Sequence, residues 1–200
     1  MRKQKARNPD QSLSINLMKV VLHICCGVCA AGAADVLLSE GNTVTGYFYN
    51  PNIYPEEEYR LRFEAARRTA EKLKFELAAG PYDTENWNSA ATALGGEPEG
   101  GARCSVCYRI RLEKTFGFMR EKGADAFTST LTISPHKSAA EINRIGIEIG
   151  GVNFMPRDFK KKDGFKKAVE KARNWELYRQ NYCGCIYSRQ GTSAQPPFLR

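Results

Sequence analysis

Apolar and polar positions along the chain alternate between two periods. KVVLHIC (19–25) is a short β-branched run, the pattern of a parallel strand buried on both faces. It passes into the Ala-rich GVCAAGAADVLL (27–38), which reads as a helix with Gly41 as its stop. TVTGYFYN (43–50) predicts a second strand, halted by Asn50-Pro51. A long helix follows from Pro55, where three glutamates suit the positive end, and Tyr59, Phe63, Ala66, Ala70 and Leu73 recur at helical spacing. The pattern then predicts a strand over 75–83, a short helix over 85–94, a Gly-rich loop to Cys104, and a helix over 108–122 closed by Gly123. A strand over 125–134, a helix over 138–149 and a last strand over 152–159 come next. A basic helical stretch over 164–182 runs into CGC.

This order predicts an α/β fold with a mostly parallel sheet, as a single domain over 18–188. Residues 1–17 read as a flexible basic arm and 189–200 as a Pro-containing tail. In such sheets ligands sit where strands pass into helices at their carboxyl ends. Cys25 and Cys26 fall at one such end.

Composition adds a partner and a compartment. Two hundred residues at 42% hydrophobic and 26% charged suit one folded domain, while a formal charge of +8 and a pI of about 9.2 point to a polyanion such as RNA. The basic start resembles a leader, but NPDQSLSIN separates charge from apolar run, and His23 and Asp35 interrupt a span. The expectation is a cytoplasmic protein that engages no membrane.

Seven cysteines lie in three tight groups: Cys25, Cys26 and Cys29; Cys104 and Cys107; Cys183 and Cys185. An odd number at such short spacings does not make a disulfide scaffold. Thiolates are soft donors for zinc or iron–sulfur clusters, and a helix start favours their charge. Two CxxC pairs suffice for a four-sulfur zinc site, and a cubane [4Fe–4S] cluster also takes four ligands; either leaves three sulfurs over. A cluster beside a second metal ion, iron or zinc, uses all seven, and the division between them stays open. The first strand-to-helix turn carries neither GxGxxG nor a P-loop, since Gly27 and Gly32 alone make no phosphate cradle.

The segments HICCGVCAAG, GARCSVCYRIRLEKT, STLTISPHKSAAEIN, RDFKKKDGFKKAVE and LYRQNYCGCIYS together resemble the QueH-type epoxyqueuosine reductases over roughly 19–188. The resemblance implies a Rossmann-like three-layer fold of the adenine nucleotide α-hydrolase (HUP) kind, without nucleotide hydrolysis. It implies a cobalamin-independent iron–sulfur oxidoreductase acting at the last step of queuosine biosynthesis. There the epoxide at the tRNA wobble position is reduced with two electrons and two protons, and water is released. It carries the ligand role onto all seven cysteines, with tRNA and a separate electron donor as partners.

Other residues are weighed against plainer readings. His136, in a strand-to-helix loop, can protonate a departing oxygen, though a loop histidine needs no such role. Tyr108, after Cys107, reads as packing before it reads as a proton donor; Asp158 is a candidate ligand or proton carrier; His23 reads as core. Between 157 and 179 nine Lys/Arg face four Asp/Glu with aromatics interleaved, so Arg157, Lys160, Lys161 and Lys162 are candidate phosphate contacts. Two rival classes remain at this point: a cluster-dependent tRNA sulfur-transfer enzyme, and a zinc-stabilised RNA-binding module without chemistry.

Overall fold

The structure of the chain is a computed structural model and describes residues 17–189. Strands β1 (Lys19–His23), β2 (Thr43–Phe48), β3 (Glu76–Ala79) and β4 (Ala126–Ser129) form one sheet in the order β3-β2-β1-β4, every pairing parallel. Between and after them run helices α1 (Gly27–Ser39), α2 (Glu56–Leu73), α3 (Thr84–Ala91), α4 (Ala102–Glu121), α5 (Ala139–Gly150), α6 (Gly164–Asn174) and the single turn α7 (Ile186–Arg189). α1 packs against α2 and α6, and α4 packs against α5. Successive strand side chains point to opposite faces, so Val20, Leu22 and Ile24 join the α1 side while Val21 joins the α4 side. The result is the expected three-layer, Rossmann-like α/β arrangement. The arm and tail expected over 1–17 and 189–200 lie outside the described residues, apart from positions 17 and 189.

Small residues let α1 sit at the centre of its layer. Ala30, Ala31, Ala33 and Ala34 are fully buried. At Gly27 a Cβ would lie 2.5 Å from the Ala65 backbone, so α1 and α2 touch at a point that admits no side chain. Thr69 Oγ1 donates to the Gly27 carbonyl across the same contact.

Four expectations need correction. The strand over 152–159 reduces to one bridge, Phe127 with Phe154, closed by Met155 N–H on Phe127 O. Pro156 follows with no N–H to extend the ladder. The strand over 125–134 ends at Ser129, whose hydroxyl accepts from Leu131 N–H and turns residues 130–133 into a 3-10 turn. The basic helix stops at Asn174 rather than running to Tyr182. Glu176 adopts a left-handed φ of 51°, and Arg68 donates to the Trp175 and Glu176 carbonyls. Residues 178–185 therefore form an extended strap toward CGC, without helical assignment. The helix expected over 108–122 begins earlier, at Ala102, which places Cys104 and Cys107 inside its first turns.

Candidate metal centre and cavity

The order β3-β2-β1-β4 sends the chain to one side of β1 and then to the other, so a crevice opens between the carboxyl ends of β1 and β4. Cys25 and Thr130 face each other there. Cys25 N–H donates to Thr130 Oγ1 at 3.1 Å, and the Thr130 hydroxyl donates to Cys25 Sγ at 3.3 Å. Cys26 then caps α1, its Sγ accepting from Cys29 N–H at 3.4 Å. One turn of helix brings Cys29 beside them, and the three sulfurs lie within 4.8 Å of one another.

These thiols share charge unequally. Bonds to Cys26 and then Cys29 hold Cys25 well below the ordinary thiol value; the bond to Cys25 pushes Cys26 up to about 12. Cys29 is raised for the same reason. The trio thus suits a single negative charge unless a cation is added. Sulfurs of one tetrahedral ion with metal–sulfur bonds of about 2.3 Å stand about 3.8 Å apart. Cys25 and Cys26 are already at 3.9 Å, so the donor set fits a metal.

The remaining four cysteines are less compact: among the described residues no three of their sulfurs lie within 4.8 Å of one another. Cys104 and Cys107 project from α4, and Cys183 and Cys185 act on both electrostatically. Cys107 and Cys185 are buried together against Trp87 and Ala91. Burial pushes Cys107 up to about 11. All seven thiols are unpaired to one another covalently, as expected for ligands.

A cavity of about 860 Å³ joins the two groups; Cys25 and Cys29 line it from one and Cys183 from the other. Four cations given no individual role in the sequence reading line it: Arg62, Arg111, Lys137 and Arg179. Arg111 is buried, with its Nε donating to the Cys107 carbonyl at 3.0 Å. Burial disfavours its charge, yet Cys107, Cys183 and Cys25 outweigh that and hold it protonated. Lys137 behaves alike: burial opposes the ammonium, while Cys183, Cys25 and Tyr108 raise its pKa. Arg62 forms a buried pair with Glu58 at 2.6 Å and donates to the carbonyls of Tyr182 and Cys183, seating the strap. Gly184 adopts a φ of +115°, and a Cβ there would lie 2.9 Å from the Arg62 guanidinium. The signal for Arg111 was in the sequence, four residues beyond Cys107 and so on the same helix face.

The other expected residues divide. His136 is exposed and lines the cavity mouth beside Pro135. Tyr108 is 5% exposed, behind the lining; burial raises its phenol, with the Arg111 guanidinium 5.7 Å from its ring. His23 is core: one ring nitrogen bonds Ser129 Oγ at 2.9 Å and the other the Tyr49 carbonyl at 3.1 Å. Asp158 is not brought to the cavity; its carboxylate accepts from Lys160 N–H and lies 3.5 Å from Lys160 Nζ. Arg157 pairs with Glu40 at 2.6 Å, and Lys160 Nζ donates to the carbonyls of Thr132 and Lys137. Lys161 and Lys162 are exposed and make no ion pair among the described residues. No helix among the described residues is long and apolar enough to cross a membrane.

Comparison with known proteins bears on this arrangement. A family model described as epoxyqueuosine reductase QueH matches residues 20–191. Similar curated relatives, all named epoxyqueuosine reductase QueH, include one from Acinetobacter baylyi, 36% identical over 94% of this chain and 86% of its own. Another from Thermotoga maritima is 34% identical over 84% of this chain and 89% of its own, and one from Dehalococcoides mccartyi is 32% identical over 89% and 96%. Among solved structures, an NMN synthetase from Francisella tularensis aligns at TM-score 0.49 and 12% identity over 91% of this chain and 76% of that one. The matched span encloses β1 through α7 and every cysteine at the cavity, and on that match the chain belongs to the QueH family of epoxyqueuosine reductases.

Proposed function

We propose that this chain is an oxidoreductase that converts epoxyqueuosine to queuosine at the wobble position of a tRNA. The single observation supporting the chemistry is that Cys25 and Cys29 from one thiol group and Cys183 from the other line one cavity together with Arg62, Arg111 and Lys137. The overall change balances as epoxide plus two electrons plus two protons giving alkene plus water. The ring oxygen departs with the protons as water, and the two electrons would be supplied by a separate reductant.

Cys104, Cys107, Cys183 and Cys185 match in number the thiolates of a [4Fe–4S] cluster, and Cys25, Cys26 and Cys29 match the spacing of a second, single ion. When bound, these centres supply low-potential electrons and a Lewis-acidic position for an oxygen. The chain's own residues do the rest. Arg62 and Glu58 hold the strap so that Cys183 closes the cavity. Arg111 and Lys137 place positive charge between the thiol groups, which steadies bound anionic sulfur and an oxygen gaining charge. Lys137, held protonated at the cavity wall, and His136 at its mouth are the groups with N–H available to the departing oxygen. Exposed Lys161 and Lys162 suit contacts to tRNA phosphates.

Anaerobic incubation with tRNA carrying epoxyqueuosine and a strong reductant, followed by nucleoside mass analysis, tests the activity: a mass loss of one oxygen is expected. Iron and sulfide analysis tests the cofactor, with four or more iron per chain expected. A colourless zinc protein with no turnover after reconstitution refutes both.

A further inference from the structure

Amide oxygens along the cavity wall have nothing to accept from. Among the described residues, Asn52 Oδ1 and Gln180 Oε1 are buried and have no hydrogen-bond partner although both side chains line the cavity; Asn50 Oδ1, in the same lining, has only the His23 ring beside it. Asn50 is 0% exposed and Asn52 is 2% exposed. Native chains satisfy nearly all buried polar atoms, so these acceptors, together with the equally unpaired Arg111 Nη2, mark a place where a ligand brings polar partners, donors above all.

Two of these oxygens have a fixed orientation. Asn50 Nδ2 donates to the Ile24 carbonyl at 2.9 Å, which leaves its oxygen turned away from that bond. Gln180 Nε2 lies 3.0 Å from Cys26 Sγ, so its oxygen is likewise the free atom. An amide flip at Asn50 would set its oxygen against the Ile24 carbonyl. The same bonds locate the acceptors, since Ile24 immediately precedes Cys25 and Gln180 touches Cys26. They stand at the sulfur end of the cavity rather than at its mouth, where His136 is exposed.

The end of the substrate that reaches the sulfurs is the ring that carries the epoxide. In epoxyqueuosine that ring also bears two hydroxyls, each an O–H donor. We propose that Asn50, Asn52 and Gln180 form an acceptor subsite for these hydroxyls, orienting the epoxide-bearing ring toward the thiols. The inference rests on the reductase reading and adds to it which residues select the substrate ring. A site built on buried acceptors rejects a ligand lacking the donors far more strongly than an apolar pocket rejects a small change of shape.

The test uses the full chain, purified anaerobically, and three anticodon stem-loops read by fluorescence anisotropy. One carries epoxyqueuosine, one the same epoxide ring without its hydroxyls, and one unmodified guanosine. The wild-type protein is expected to bind the hydroxylated ring about tenfold more tightly than the ring without hydroxyls. Asn52→Leu is expected to weaken the first about tenfold and to leave the second unchanged, a non-additive pair. Equal wild-type affinity for the two epoxide rings overturns the subsite even if Asn52→Leu does not fold. Additive losses overturn it too, and then point to recognition of the base edge. A wild-type protein that does not distinguish epoxyqueuosine from guanosine overturns the reductase reading and the subsite together.

Discussion

Replacing Glu58 by leucine removes the one carboxylate that balances a buried guanidinium. Glu58 is 7% exposed and Arg62 2% exposed; they lie 2.6 Å apart, and Tyr178 donates its hydroxyl to Glu58 at 2.5 Å. Without Glu58 the Arg62 charge stays buried, held between the carbonyls of Tyr182 and Cys183 at 3.1 and 3.0 Å. Breaking a buried pair from one side costs about 3–5 kcal/mol. In a domain of this size each kcal/mol lowers Tm by roughly 2–4 °C, so Glu58→Leu should melt about 6–20 °C below wild type. Urea unfolding of metal-free, reduced protein measures the same loss as a lower midpoint at unchanged slope. Replacing both partners, Glu58→Leu with Arg62→Met, should recover much of it, because apolar pairs of similar volume often match buried ion pairs. Because Arg62 seats Cys183, the single variant should also retain less iron. A loss within about 1 kcal/mol of zero, or a double variant as unstable as the single one, refutes the idea that this pair anchors the strap.

Further outcomes follow from other contacts. Gly27→Ala places a Cβ 2.5 Å from the Ala65 backbone, so thermal melts should show a loss of about 1–3 kcal/mol from overpacking of α1 on α2. Glu141 lies in the first turn of α5, which Ser138 caps; Arg144 and then Ser105 lower its carboxyl to about 2, and its side chain is 30% exposed. Its stabilisation is therefore present above the ordinary carboxylate value of about 4.5 and lost as pH falls toward 2. Solvent screening keeps that contribution below about 1 kcal/mol, so Glu141→Gln should cost that little at pH 7 and nothing at pH 2, measured by chemical denaturation. Changing Lys161 and Lys162 together to alanine should weaken tRNA binding and reduce its salt slope by about one to two, while Lys160→Ala should instead lower stability by loosening residues 132–137. Cys107→Ser should cut iron and sulfide content without producing a disulfide, read by metal analysis and thiol titration.

Local signals made much of the architecture legible. The β-branched run at 19–23 and the alternation at 43–48 are strands because their side chains are buried, and α1, α2 and α5 begin close to where caps and periodicity place them. Two of the misreadings share one cause. Residues 152–159 and 175–182 have strand-like and helix-like composition, but their fate is set by partners distant in the chain: Phe127 for the one, Arg68 and Arg62 for the other.

The site divides in the same way. The residue types and spacings of the cysteines were enough to name thiolate chemistry, because metal ligation depends on donor identity and local turns. What surrounds the sulfurs was not readable, since it depends on which side chains the crossing of β1 and β4 brings to one crevice. Arg111 and Lys137 look like ordinary surface cations in the sequence, and Arg157 and Lys160 look free; only packing sets the first two beside the thiols as counter-charges and gives the last two carbonyls or a carboxylate to hold. Local periodicity and short spacing were enough for the fold class and for the grouping of the thiols. The tertiary structure decided the cavity, its charge and its acceptors, because burial and long-range contact set the energy of each polar group.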